Sequence, residues 1–274
     1  MEIRLIGMIF LLLLNMKNLL KIASLQVDIV WESPQSNIEK YTAMINSIAT
    51  DVDVIILPEM FSTGFSMNPS ICAETMDGKS VAWMQEMASQ KQVAIMGTLA
   101  IKENDRFYNR FVFVNPRGEI GIMNKRHLFS YGGEGKVYSS GKERLVIDYK
   151  GWKICPMICY DLRFPVWTRN ANDYDVLIFM ANWPKPRINA WDALLKARAI
   201  ENMCYTIGVN RVGVDGNKLE YIGHTQVIDT LGNIVSDSVE EKEMAIVTTI
   251  DRKILIETRR KFQFLNDRDL FEIL

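Results

Sequence analysis

Apolar positions along the chain alternate between strand-like runs and helix-like spacing, and the alternation occurs twice. In the first half "LKIASLQVDI" reads as a strand. Apolar positions near Ile38, Tyr41, Ile45 and Ile48 then fall on one face of a helix. "DVDVIILPE" carries a continuous Val-Ile-Ile-Leu run, which suits a strand buried on both faces and stopped at Pro58-Glu59. A helix over Ser80 to Lys91 leads to the strand "VAIMGTLAI". A hairpin follows, "RFVFVNP" and "EIGIMNK", turning at Arg117-Gly118.

The second half repeats the order. A strand over Trp152 to Cys159 precedes a helix starting near Pro165. "DYDVLIFMANWP" echoes "DVDVIILPE", the long helix "INAWDALLKARAIENM" precedes the strand "CYTIGVNRV", and "TQVIDTLGNIV" is a second hairpin. Each half thus reads strand, helix, buried strand, helix, strand, hairpin. The repeat predicts an α/β fold of two similar sheet-plus-helix layers packed face to face about a pseudo-two-fold axis. No Pro/Ser-rich linker interrupts the pattern, so residues 16–274 read as one domain. Its last part, 251–274, reads as a C-terminal arm carrying scattered Phe and Leu, packed on the core or on a second subunit.

The apolar run Leu5 to Leu14 stands outside this pattern. It is shorter than the ~20 residues a membrane span needs, although it resembles a signal-peptide core. "NMKN" after it is a poor cleavage site, and the first core strand follows without a spacer. The preferred reading starts the natural chain at Met16 and makes residues 1–15 an upstream extension. Export or anchoring by that segment is the alternative.

Composition narrows the function. The chain has 274 residues, 48% hydrophobic and 24% charged, with formal net charge -1. That is the profile of a soluble globular protein, without the basic stripe that nucleic acid demands. Four cysteines over this length do not make a disulfide framework, so a cytoplasmic location is expected. Two histidines, His127 and His224, and no Cys-x-x-Cys pair argue against a metal site.

Catalytic groups in α/β sheets tend to sit where buried strands end. Three reactive residues do so here. Glu59 ends "VIILPE", Lys125 ends "IGIMNK", and Cys159 ends "WKICPMIC" just before a helix start. Singly, each has an ordinary explanation as cap, solvent-facing residue or packing. Together they are chemically complete. A neighbouring ammonium and a helix N-terminus help a thiol to ionise. A carboxylate can take its proton and later serve the leaving amine and the water. A lysine can hold the oxyanion of a tetrahedral intermediate. The second cysteine, Cys155, lies about 13 Å from Cys159 if the strand is extended at ~3.3 Å per residue, too far for a disulfide. It reads as packing.

The blocks "LPEMFSTGF", "NKRHLF" and "CYDLRFP" resemble the three signature blocks of the nitrilase superfamily, the carbon–nitrogen hydrolases. "ARAIENMCYTIGVNRVG" is similar to that family's later helix and strand, and the resemblance runs in order from Leu20 to Asp251. It implies a four-layer α-β-β-α sandwich with two pseudo-symmetric mixed sheets, usually paired as a homodimer. It also implies that Glu59 is the general base, Lys125 the oxyanion lysine and Cys159 the nucleophile, with no cofactor. A further glutamate of the family, which positions the lysine and the substrate, matches Glu134 in "YGGEGKVY".

Within the superfamily, "KRHLFSYGGE", "CYDLRFP" and "ANWP" look most like bacterial omega-amidases, which hydrolyse the terminal amide of 2-oxoglutaramate or 2-oxosuccinamate. Such a substrate carries a carboxylate far from the scissile bond. Arg163 and Arg187 are the candidates to meet it, since a guanidinium matches a carboxylate bidentately, and a structural salt bridge is the alternative for each. Phe61, Phe129 and Trp183 are candidates for the pocket wall. Three rivals remain: a Cys-His hydrolase using His127, a relative acting on another small amide or N-carbamoyl compound, and a non-catalytic binding protein on the same fold.

Overall fold

The parallel strands of the two halves occupy matching places in two sheets of a computed structural model, which describes residues 18–49, 51–171, 174–237 and 239–273. The leading segment 1–15 lies outside these residues. In the first sheet β1 (Leu19–Gln26), β2 (Val54–Ile56) and β3 (Ala94–Glu103) run parallel. β4 (Arg106–Val114) and β5 (Ile120–Asn124) continue it antiparallel. In the second sheet β7 (Trp152–Ile158), β8 (Val176–Ala181) and β9 (Tyr205–Asn210) run parallel. They are flanked antiparallel by β6 (Ile147–Tyr149) and β12 (Gln226–Ile228). Two short strands, β10 (Val212–Val214) and β11 (Glu220–Ile222), pair as a separate hairpin.

Strand alternation builds the layers. Ile22, Val54, Ile56 and Phe111 of the first sheet meet Ile154, Ile158, Ile178 and Ile207 of the second in one core between the sheets. The intervening residues face outward. Ala23, Leu25, Ile55 and Ile95 pack on Tyr41 of α1 (Pro34–Asn46) and Met84 of α2 (Lys79–Lys91). Cys155, Met157, Leu177 and Phe179 pack on Trp191 and Leu195 of α3 (Ile188–Asn202). Three apolar interfaces make the α-β-β-α sandwich that the sequence implies. Each fully buried Leu or Ile in them contributes roughly 1.5–3 kcal/mol.

α1 begins with Pro at its first turn, where a missing N–H costs nothing, and buries Asn37, Tyr41 and Ile45 at a spacing of four. The expected Ile48 falls past its end. The helix expected near Pro165 is only a four-residue turn, Pro165–Thr168, preceded by a 3-10 turn over Cys159–Arg163. The second hairpin closes through a single bridge, Ile228 to Ile234.

Regular structure both leads into the C-terminal arm and opens it. β13 (Met244–Asp251), which the pattern did not announce, pairs antiparallel with β1 from Leu19–Asp251 to Gln26–Met244. Asp251 then caps α4 (Arg252–Phe262), accepting from the Lys253 N–H at 2.8 Å. Leu255 of α4 enters the core between the sheets, so this part of the arm belongs to the domain. Among the described residues no helix is long and apolar enough to cross a membrane.

Candidate active site

Three chain segments leave their strands toward one cavity. Glu59 lies just past β2, Lys125 directly after β5, and Cys159 directly after β7. Met60 and Cys159 both take left-handed backbone, φ 46° and 43°. Such a conformation costs a non-glycine residue roughly 1–2 kcal/mol and persists where the surroundings impose it. Here it breaks the strand direction beside Glu59 and at Cys159.

Lys125 is the hub. Its ammonium lies 2.8 Å from Glu59 Oε1 and 3.0 Å from Glu134 Oε2, and all three side chains have 0% exposure. Asn109 Nδ2 donates to Glu59 Oε1 at 2.8 Å and to Glu134 Oε1 at 3.2 Å. Asn109 is itself oriented by the Thr98 hydroxyl, which donates to its Oδ1 at 2.8 Å and accepts from the Met60 N–H. Glu59 Oε2 accepts from the Asn182 N–H at 2.9 Å, and Glu134 Oε2 accepts from the Phe129 N–H at 2.6 Å. Each buried carboxylate is therefore paired and hydrogen-bonded, the condition for keeping a charge inside a protein.

Burial opposes the charge on Lys125, yet Glu134 and Glu59 outweigh it and hold the ammonium above the ordinary lysine value. Burial also pushes the Glu134 carboxyl up, with Lys125 pulling it back. The Cys159 thiol is pushed well above the ordinary 9.0, first by burial and then by the Glu59 carboxylate, against the opposing Lys125. A thiol near a carboxylate and a fixed positive charge is an arrangement that can supply a nucleophile with its base.

The cavity over these groups holds about 390 Å³. Glu59 and Cys159 line it, together with Phe65, Phe129, Tyr131, Trp183 and Tyr221. Arg163 and Arg187 also line it. The Arg163 guanidinium lies 5.1 Å from the centre of the Trp183 ring, and that of Arg187 lies 5.2 Å from the centre of the Phe129 ring. Neither guanidinium has a carboxylate partner among the described residues.

Phe61 does not line the cavity. The left-handed Met60 turns the chain, and Phe61 is fully buried against Tyr41 and Trp83 at ring distances of 5.6 and 5.7 Å. Gly97 admits it, since a Cβ there would stand 2.9 Å from the Phe61 ring. Phe65, further along the same segment, takes the wall position instead. His127 is committed elsewhere as well. Its Nδ1 lies 2.8 Å from Asp161 Oδ1 and its ring stacks on Phe164. Cys155 is buried in the outer core, and all four cysteines are free.

Sequence reasoning missed Asn109 and Asn182. Asn182 had a signal, being the polar residue that ends the β8 run as Glu59 ends that of β2. Asn109 lies inside β4 and had none. Among the described residues no cluster of three or more His, Cys, Asp or Glu could hold a metal ion.

Comparison with known proteins gives consistent results. The carbon-nitrogen hydrolase family model matches residues 21–260. Omega-amidase YafV of Escherichia coli (strain K12) is 41% identical over 254 residues, covering 93% of this chain and 98% of its own. 2-oxoglutaramate amidase of Bacillus subtilis (strain 168) is 33% identical over 257 residues, covering 91% and 98%. A solved CN-hydrolase superfamily protein from Xanthomonas campestris, with an arsenic adduct in its active site, superimposes with a TM-score of 0.91. It is 41% identical, and the match covers 93% of this chain and 99% of that one.

Proposed function

The chain belongs to the carbon–nitrogen hydrolase family, and on that premise we propose that it is an omega-amidase, cleaving the terminal amide of 2-oxoglutaramate or 2-oxosuccinamate. One observation carries the substrate class: two guanidinium groups without carboxylate partners among the described residues, Arg163 and Arg187, share a cavity with Glu59 and Cys159. A substrate with a carboxylate beside a 2-oxo group at one end and an amide at the other has one end suited to each of these two sets of groups.

Glu59 takes the thiol proton as Cys159 Sγ attacks the amide carbon. Lys125 Nζ and the Tyr160 N–H, at the start of the 3-10 turn, hold the resulting oxyanion. The C–N bond breaks, the nitrogen receives the proton from Glu59, and ammonia leaves a thioester on Cys159. Glu59 then takes a proton from water, and the hydroxide attacks the thioester carbon. The C–S bond breaks, the thiol recovers its proton, and the 2-oxo dicarboxylate departs. Glu134 keeps Lys125 in place beside Glu59, and Asn109 ties the two carboxylates together.

The protein works, in this reading, as a cytoplasmic homodimer, a state supported by the exposed Ile254, Ile256 and Phe264 at the C-terminal end. Light scattering in solution measures it. Ammonia release from 2-oxoglutaramate, glutamine, simple aliphatic amides and N-carbamoyl amino acids tests the activity. The reading expects 2-oxoglutaramate to give the highest kcat/KM. Mass spectrometry of protein quenched during turnover tests the chemistry: an acyl adduct on any cysteine but Cys159 overturns it.

A further inference from the structure

We infer that Asp161 and His127 form a positioning clamp, which fixes the Cys159 turn against the Lys125 segment. The inference rests on Cys159 being the nucleophile. Asp161 is fully buried, two residues past Cys159. Its Oδ2 accepts from the Ile158 N–H at 3.1 Å, the amide directly before Cys159. Its Oδ1 accepts from the His127 N–H at 3.1 Å, two residues past Lys125. The same oxygen lies 2.8 Å from His127 Nδ1. A carboxylate only accepts, so the proton of that bond sits on Nδ1. One side chain thereby grips the backbone beside the nucleophile and the backbone beside the lysine.

The clamp answers a physical need. Cys159 holds a left-handed backbone, φ 43°, that its own side chain disfavours. Lys125 is anchored through its ammonium, but that anchor leads to Glu59 and Glu134 and not to the 3-10 turn that carries Cys159. Asp161 supplies the missing link between the two. The imidazole is immobilised as well. It lies flat on Phe164, with ring centroids 3.7 Å apart and 6° between planes, and the Trp167 ring is edge-on at 6.2 Å. Phe164 directly follows the 3-10 turn, so His127 touches the turn at its middle, through Asp161, and the chain just past its end. His127 accordingly acts through Asp161 rather than on the substrate.

The test is kinetic and uses the full-length enzyme with 2-oxoglutaramate. His127→Ala removes the Nδ1 donor and the stacked ring, and kcat should fall about ten- to a hundredfold with KM within twofold, the signature of a displaced reacting group. His127→Asn keeps an N–H donor near Nδ1 and should restore most of kcat. Alkylation of Cys159 by iodoacetamide should slow in His127→Ala and recover in His127→Asn. Asp161→Asn should resemble His127→Ala; if it fails to fold, the His127 pair decides alone. An unchanged kcat in His127→Ala overturns the clamp. So does loss of activity that His127→Asn does not recover while thermal stability stays intact, because the imidazole itself then takes part. Cys159→Ala run in parallel separates the two readings. Activity surviving in it defeats the nucleophile assignment, whereas an inactive Cys159→Ala beside a fully active His127→Ala defeats only the clamp.

Discussion

The backbone N–H of Asn182 donates to Glu59 Oε2 at 2.9 Å, and the Asn182 side-chain amide donates back to the Glu59 carbonyl at 2.6 Å. Glu59 follows β2, the middle parallel strand of one sheet, and Asn182 follows β8, the middle parallel strand of the other. The pseudo-symmetric strands thus clasp each other at their carboxyl ends, and the clasp aims the Glu59 carboxylate into the cavity.

Asn182→Ala should keep the backbone donor and lose the side-chain one, lowering kcat about tenfold, in line with one lost buried hydrogen bond of ~1–1.5 kcal/mol. Asn182→Asp should cost far more, because it sets a second carboxylate against a buried one. Steady-state ammonia release on both variants measures the difference, and equal losses would contradict the clasp.

The raised Cys159 thiol has a consequence for pH. A thiol whose value lies above 9.0 favours its protonated form, so at any given pH less thiolate is present than in free cysteine. The thiolate absorbance of the wild type, after subtraction of Cys159→Ala, should be absent at neutral pH and rise only above 9.0. Substantial thiolate at neutral pH would mean that the resting state is instead a thiolate–ammonium pair with Lys125.

Arg163→Met and Arg187→Met should each raise KM for 2-oxoglutaramate, by roughly ten- to a hundredfold for a lost charged hydrogen bond of ~1.5–3 kcal/mol. Turnover of an uncharged aliphatic amide should not change. Lysine at either site should rescue poorly, because it cannot match a carboxylate bidentately while lying over Trp183 or Phe129. A KM that stays put in both variants would move the carboxylate site elsewhere in the cavity.

Phe61 and Phe129 should separate cleanly. Phe61→Ala opens the core beside Tyr41 and Trp83 and should cost about 3–5 kcal/mol of stability, with KM unchanged. Phe129→Ala strips the cavity wall and the ring beneath Arg187, and should raise KM with little loss of stability. Thermal melts and Michaelis curves on the two variants give the contrast.

Local pattern determined much of this protein. The order of buried runs and amphipathic helices announced two equivalent halves, because burial on both faces leaves a continuous apolar run and burial on one leaves a period. Glu59, Lys125 and Cys159 were legible for the same reason, as reactive groups placed where such runs stop. Tertiary structure alone decided which groups meet. Lys125 reaches Glu59 across 66 residues, and Asn182 reaches it across 123. It also decided that Phe65 and not Phe61 walls the cavity, that β13 closes the first sheet beside β1, and that Asp161 spans the segments of Lys125 and Cys159. The physical reason is that periodicity records how deeply a residue is buried, whereas a hydrogen bond or an ion pair depends on which other buried group the folded backbone brings within 3 Å or so of it.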